Sequence, residues 1–289
     1  MTYINEETTK NLLISVILCL GIFSLLLCKK DYYLEPFILP KTEPTASTVW
    51  TYWEPYPPPS VVKMCYDNWK RIGKLTDIRI LHPGNITEYI PQKELLRINN
   101  NAENPAVKSD FILFYLLHKF GGTWIDGSVF LNKPLFDWLP KDKFFCYRAD
   151  RFSTDITCME TFFMYSPLHH PLPGKWYQTL HEVAETVGKD KFVENVSQKY
   201  PNINESMSED NYLWVYIVGK FLLLNNPEFT NMITTYSAEE GPWFEAERQG
   251  WENVDQICKA LAKKEPCKNC PITKIHNGMR EKCGIEVIP

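Results

Sequence analysis

The chain has 289 residues, 44% of them hydrophobic and 23% charged, with a formal net charge of −4. This is an ordinary globular composition with room for one sizeable domain or two small ones. There is no basic surplus to neutralise phosphates, which argues against nucleic acid as the main partner. Aromatic residues reach 14%, which fits a large aromatic core or a cleft that stacks rings; composition alone favours the core.

Residues 11–28, "NLLISVILCLGIFSLLLC", carry no charge between Lys10 and Lys29. Their length is near the lower limit for spanning a bilayer. The preceding residues 1–10 hold two Glu against one Lys, and no small-residue cleavage site precedes "CKKDYY". A transmembrane signal anchor is therefore favoured over a cleaved signal peptide. Orientation is contested. Lys29 and Lys30 after the segment favour a cytosolic C-terminus. The sequons at Asn85, Asn195 and Asn204 and the seven later cysteines favour a lumen. The expectation is a single-pass type II membrane protein of the Golgi or ER, with residues 29–46 as a proline-bearing stem and a luminal domain over 47–289.

Residues 47–53 read as a first strand and 60–73 as a helix, with Ser60 as its N-cap and Gly73 as its stop. A strand over 76–82 completes a β–α–β opening, which predicts an α/β domain with a mixed, mainly parallel sheet flanked by helices. Residues 104–122 are the clearest helix, with Pro105 in the first turn and Gly121 at the stop. Its apolar run 111–117 predicts burial on most sides. Strands follow over 123–132, 144–150 and 160–166, then helices over 173–188 and 211–226. The tail, 255–289, is charged and Cys-rich. Cys258, Cys267, Cys270 and Cys283 suit either zinc or two disulfides, and the spacing is a weak zinc pattern, which favours disulfides.

A buried helix, a Gly121–Gly122 turn and a strand carrying Asp126 at its end form a recurrent setting for a site, because ligands gather outside the carboxyl ends of strands. A carboxylate there can hold a divalent cation, which acts as a Lewis acid on a diphosphate leaving group. Asp126 also suits a simple Asp-Gly turn, and the residues alone do not separate these two readings.

Residues 108–135, "KSDFILFYLLHKFGGTWIDGSVFLNKPL", resemble the core motif of the capsular polysaccharide synthesis protein family, which is related to glycosyltransferase family 32. Residues 49–71 and 165–172 are similar to flanking blocks of that family. The resemblance implies a GT-A fold and a hexose transferase with retention of configuration. It also implies a nucleotide-sugar donor linked to UDP or GDP, a glycan or glycoconjugate acceptor, and Mn²⁺ or Mg²⁺. By motif position, Asp126 is the first acid of a metal-binding Asp-x-Asp, with Ser128 in place of the second. Asp110 contacts the donor sugar, Gly121 and Gly122 shape the donor site, and Trp50 stacks on the base. His276 is a candidate C-terminal metal ligand; as a surface His beside a turn it needs no such role. Glu209 and Asp210 read better as acids at a helix start. Ser128 and Leu113 depart from the pattern of the sugar-transferring domains of large clostridial toxins, to which the family is also related and where an acid and an arginine stand. A non-catalytic nucleotide-sugar or glycan-binding protein on the same fold is thus the alternative.

Overall fold

The computed structural model describes residues 42–152, 157–204, 213–262 and 270–283. The chain divides at Glu43/Pro44, and the elements below belong to the second unit. Residues 11–28 lie outside the described residues, and among those described no helix is long and apolar enough to cross a membrane.

The elements follow in chain order. They are β1 (Val49–Tyr52), α1 (Ser60–Arg71), β2 (Ile78–Leu81), α2 (Gln92–Asn101), α3 (Pro105–Phe120), β3 (Gly122–Ile125), β4 (Val129–Leu131), β5 (Phe144–Arg148) and β6 (Met159–Ser166). After them come α4 (Pro171–Glu182), α5 (Lys189–Lys199), α6 (Trp214–Asn225), β7 (Ile233–Ser237), α7 (Phe244–Gln249), α8 (Val254–Ala262), β8 (Ile272–Lys274) and α9 (Asn277–Lys282). The main sheet has the order β2-β1-β3-β6-β5-β7, and β4 pairs with β8 in a separate ribbon. β1 runs parallel to β2 and β3, and β5 parallel to β7, while β6 is antiparallel to both its neighbours. This is the mixed, mainly parallel α/β sheet that the β–α–β opening predicts.

Side-chain alternation sorts the strands onto two cores. Trp50, Trp124, Phe144, Cys146 and Met164 pack with α2, α3, α4 and α6 on one face. Val49, Ile125, Phe145, Tyr147 and Phe163 pack with α1, β4 and the C-terminal helices on the other. Strands covered on both faces read as continuous apolar runs. Helix α3 begins and ends as predicted. Asn104 Oδ1 accepts the Val107 N–H at 3.0 Å, Pro105 fills the first turn, and Gly121 closes the helix at φ +63°. Ser60 is the first helical residue of α1 instead of its cap.

The expected strand over 123–132 is two strands in different sheets. β3 ends at Ile125, and the Val129 N–H returns to Asp126 O at 3.1 Å, which turns the chain out of the main sheet. Helix α1 then captures β4. Asn68 donates to Leu131 O at 3.1 Å and accepts from Leu131 N at 2.7 Å, and Trp69 Nε1 donates to Val129 O at 2.7 Å.

Candidate functional site

Asp126 stands where β3 leaves the sheet, beside the carboxyl end of the parallel strand β1. Its N–H makes the last rung to Phe162 O at 2.9 Å. Gly127 follows because a Cβ there would lie 2.9 Å from the Trp53 ring and 3.0 Å from the Tyr66 hydroxyl. Ser128 is buried, and its carbonyl accepts the Ile275 N–H at 2.9 Å. The β4–β8 register sets Val129 opposite Lys274. Lys274 Nζ therefore reaches back to Asp126 Oδ2 at 2.5 Å and to Ser128 Oγ at 3.1 Å. The other carboxylate oxygen of Asp126 accepts from Trp124 Nε1 at 3.0 Å.

These residues line a cleft of about 690 Å³. The start of α3 contributes Ser109 and Asp110, and the end of β1 contributes Tyr52, Trp53 and Glu54. Further walls come from Tyr216 of α6, from Trp243 and Trp251, and from Lys274, His276 and Arg280 of the tail. Burial first, and the Asp126 carboxylate second, raise the Asp110 pKa to about 8; Thr161 and Lys274 act weakly the other way. Asp110 therefore carries a proton at neutral pH and can both donate and accept. A hydrogen bond from Lys108 at 2.8 Å and one from Tyr52 at 2.6 Å hold the Glu54 carboxyl below the ordinary range. Burial and then Arg280 lower the His276 pKa, so its imidazole is neutral at pH 7. Beneath the cleft, buried Glu160 accepts from Tyr216 at 3.0 Å and Trp243 at 3.0 Å and pairs with Arg151 at 2.7 Å. That network fixes two of the wall's rings.

Asp110, Asp126, Ser128 and His276 thus share one cleft. Trp50 does not line it. Its side chain points into the core, wedged edge-on against Tyr89 at 5.0 Å, and its N–H is spent on Gly121 O at 2.9 Å. The rings of this strand end that line the cleft are Tyr52 and Trp53, two and three residues further along. Gly121 and Gly122 are absent from the lining as well. Both adopt positive φ, and a Cβ on Gly122 would meet Thr48 O at 2.5 Å, so they serve the tight turn into β3. Residues 205–212, with Glu209 and Asp210, lie outside the described residues. Sequence reasoning missed Lys274, Trp243, Trp251 and Tyr216. High aromatic content hinted at the rings, but no spacing ties residue 274 to residue 126.

The family model described as "Capsular polysaccharide synthesis protein" matches residues 32–194, more than half of the chain. The chain belongs to that family. Tyr216, Trp243, Lys274, His276 and Arg280 fall beyond the matched stretch. No curated protein matches the sequence. Among solved structures it is similar to mouse xyloside xylosyltransferase 1 at 11% identity and TM-score 0.44, covering 81% of this chain and 98% of that one. It is also similar to the glycosyltransferase GlyE of Streptococcus pneumoniae TIGR4 at 10% identity and TM-score 0.39. The GlyE match covers 81% of this chain but only 55% of GlyE, so the chain spans about half the length of that protein. The glycosyltransferase PaToxG matches at 13% identity and TM-score 0.36, over 63% of this chain and 88% of that one.

The donor set does not suit the divalent cation that the sequence motif implies. Such a cation wants several free oxygen ligands, most of them anionic. Here both oxygens of the Asp126 carboxylate already accept hydrogen bonds, Ser128 is engaged by the same ammonium, Glu54 accepts from Lys108 and Tyr52, and Asp110 is neutral. Among the described residues no three His, Cys, Asp or Glu side chains converge on a metal position. The tail also departs from zinc: Cys258 and Cys283 form a disulfide, and Cys270 is disulfide-bonded too.

Proposed function

We propose that this protein is a membrane-anchored glycosyltransferase with a GT-A-like domain. It would move a hexose from a UDP- or GDP-linked donor to a hydroxyl of a glycan or glycoconjugate. The observation that carries the reading is the joining of Asp126, Ser128 and Lys274 with a neutral Asp110 in one ring-lined cleft, outside the carboxyl end of parallel β1. Open α/β sheets bind ligands in that position, and the family match supports the polysaccharide context.

In the proposed reaction the bond from the sugar C1 to the diphosphate oxygen breaks, and its electron pair stays on that oxygen. The acceptor oxygen bonds to C1 from the same face, so configuration is retained. The acceptor proton passes to the departing phosphate oxygen. Asp110 would accept from and donate to sugar hydroxyls without repelling the diphosphate. Tyr52 and Trp53 offer faces for the base, and Trp243 and Trp251 offer faces for sugar rings. Preorganised charge and dipoles in a partly dry cleft supply much of such a rate.

In this reading the domain faces the ER or Golgi lumen and residues 11–28 serve as its anchor. The Cys258–Cys283 disulfide supports an oxidising compartment. The Asn195 side chain is exposed on α5 and accessible for glycosylation, whereas the Asn85 amide is tied to His82 and Ile80.

The full chain in detergent, offered a panel of UDP- and GDP-hexoses with glycan acceptors, should release nucleoside diphosphate and glycosylated product. Asp126→Ala should lower turnover by about 100-fold or more. Parent-level turnover in that variant would sink the role given to Asp126. Donor binding without turnover across the panel would favour the non-catalytic alternative.

A further inference from the structure

We propose that Lys274 Nζ is the cation that grips the donor diphosphate, in the place where the sequence motif implies a divalent ion. Donor binding then needs no metal. The inference deepens the glycosyltransferase reading and rests on it.

Its ground is how the lysine is held. Lys274 is no flexible surface side chain; it is 8% exposed and lies on β8, whose partner β4 begins directly after Ser128. The Lys274 N–H donates to Pro242 O at 3.1 Å, and the next N–H donates to Ser128 O at 2.9 Å. The stem lies over Phe162, with Nζ 5.3 Å from the ring centroid. This fixes the ammonium between Asp126 and Ser128, on the cleft wall. An ammonium has three N–H donors. Among the described residues Asp126 and Ser128 take two, which leaves the third for a ligand oxygen.

A divalent ion would have to displace the ammonium from Asp126 and then sit beside it. In the transfer step Lys274 would neutralise the charge that collects on the departing phosphate oxygen, while the acceptor hydroxyl supplies the proton.

The test is nucleotide binding to the full chain in detergent, measured by calorimetry with UDP, GDP and pyrophosphate, in EDTA and again in Mn²⁺. Affinity should agree within about two-fold between the two conditions. Lys274→Met should weaken pyrophosphate and nucleotide binding by about ten-fold or more, and Lys274→Arg should recover part of it. The EDTA comparison uses the unaltered chain, so it stands even if Lys274→Met folds poorly. Binding that vanishes in EDTA, returns with Mn²⁺ and survives in Lys274→Met would overturn the lysine assignment and leave the glycosyltransferase reading intact. No binding of either nucleotide under either condition would overturn both.

Discussion

Asp110 sits in the second turn of α3, facing Asp126 across the cleft floor, with Lys274, Thr161 and the Tyr216 phenol around it. Its pKa is raised from 3.8 to about 8, mainly by burial and next by Asp126. A raised acid binds an extra proton in the folded state. Its contribution to stability is therefore fullest below pH 3.8 and drains as pH climbs towards 8. Asp110→Asn removes the draining group. Scanning calorimetry should show the variant melting about 2–4 °C above the parent at pH 9, with the gap closing towards pH 4. A gap that ignores pH would contradict the assignment. The same ionisation places a second negative charge beside Asp126, so donor affinity should fall as pH passes 8. In Asp110→Asn that alkaline loss should disappear.

At the scale of elements, the decisive event is the exit of the chain from the main sheet at Asp126 and its capture by α1. Asn68 is buried and spends both ends of its amide on Leu131, which among the described residues has no other strand on that side. Asn68→Ala would leave a buried N–H and a buried C=O without partners, at about 1–3 kcal/mol each. The urea midpoint should drop accordingly, and nucleotide binding should weaken with it, because β4 sets the register of Lys274. A fall in stability with unchanged nucleotide affinity would show that the ribbon is not what places the lysine. The same region marks where the sequence was legible and where it was not. Helix α3 could be read from Pro105 to Gly121, because each acts on the backbone within a few residues of itself; the Asn104 cap came only with the structure. The strand over 123–132 could not, because Val129, Phe130 and Leu131 are as β-prone as Thr123, Trp124 and Ile125. What separates the two halves is a contact with Asn68, some sixty residues away.

For the whole molecule, the tail changes meaning. Its cysteines suggested zinc or two disulfides in a charged tail, and the family match stops at residue 194. In the fold, β8 and α9 are a wall of the cleft, and the Cys258–Cys283 disulfide ties α8 to the end of α9 around them. Sequence showed the cysteines but could not show which chain segment they pin, since that depends on β8 finding β4. The bond closes a loop of 25 residues, for which chain entropy predicts about 3 kcal/mol. Replacing both cysteines in Cys258→Ser/Cys283→Ser should lower the melting temperature and loosen the wall that carries Lys274, His276 and Arg280. Limited proteolysis should then cut first between residues 250 and 283. Nucleotide affinity should drop several-fold, while far-ultraviolet circular dichroism, dominated by the main sheet and α3–α6, stays near that of the parent. If the variant is clipped in the tail and still binds UDP or GDP as tightly as the parent, the diphosphate grip lies within residues 44–249, and the C-terminal wall serves only to cover the core.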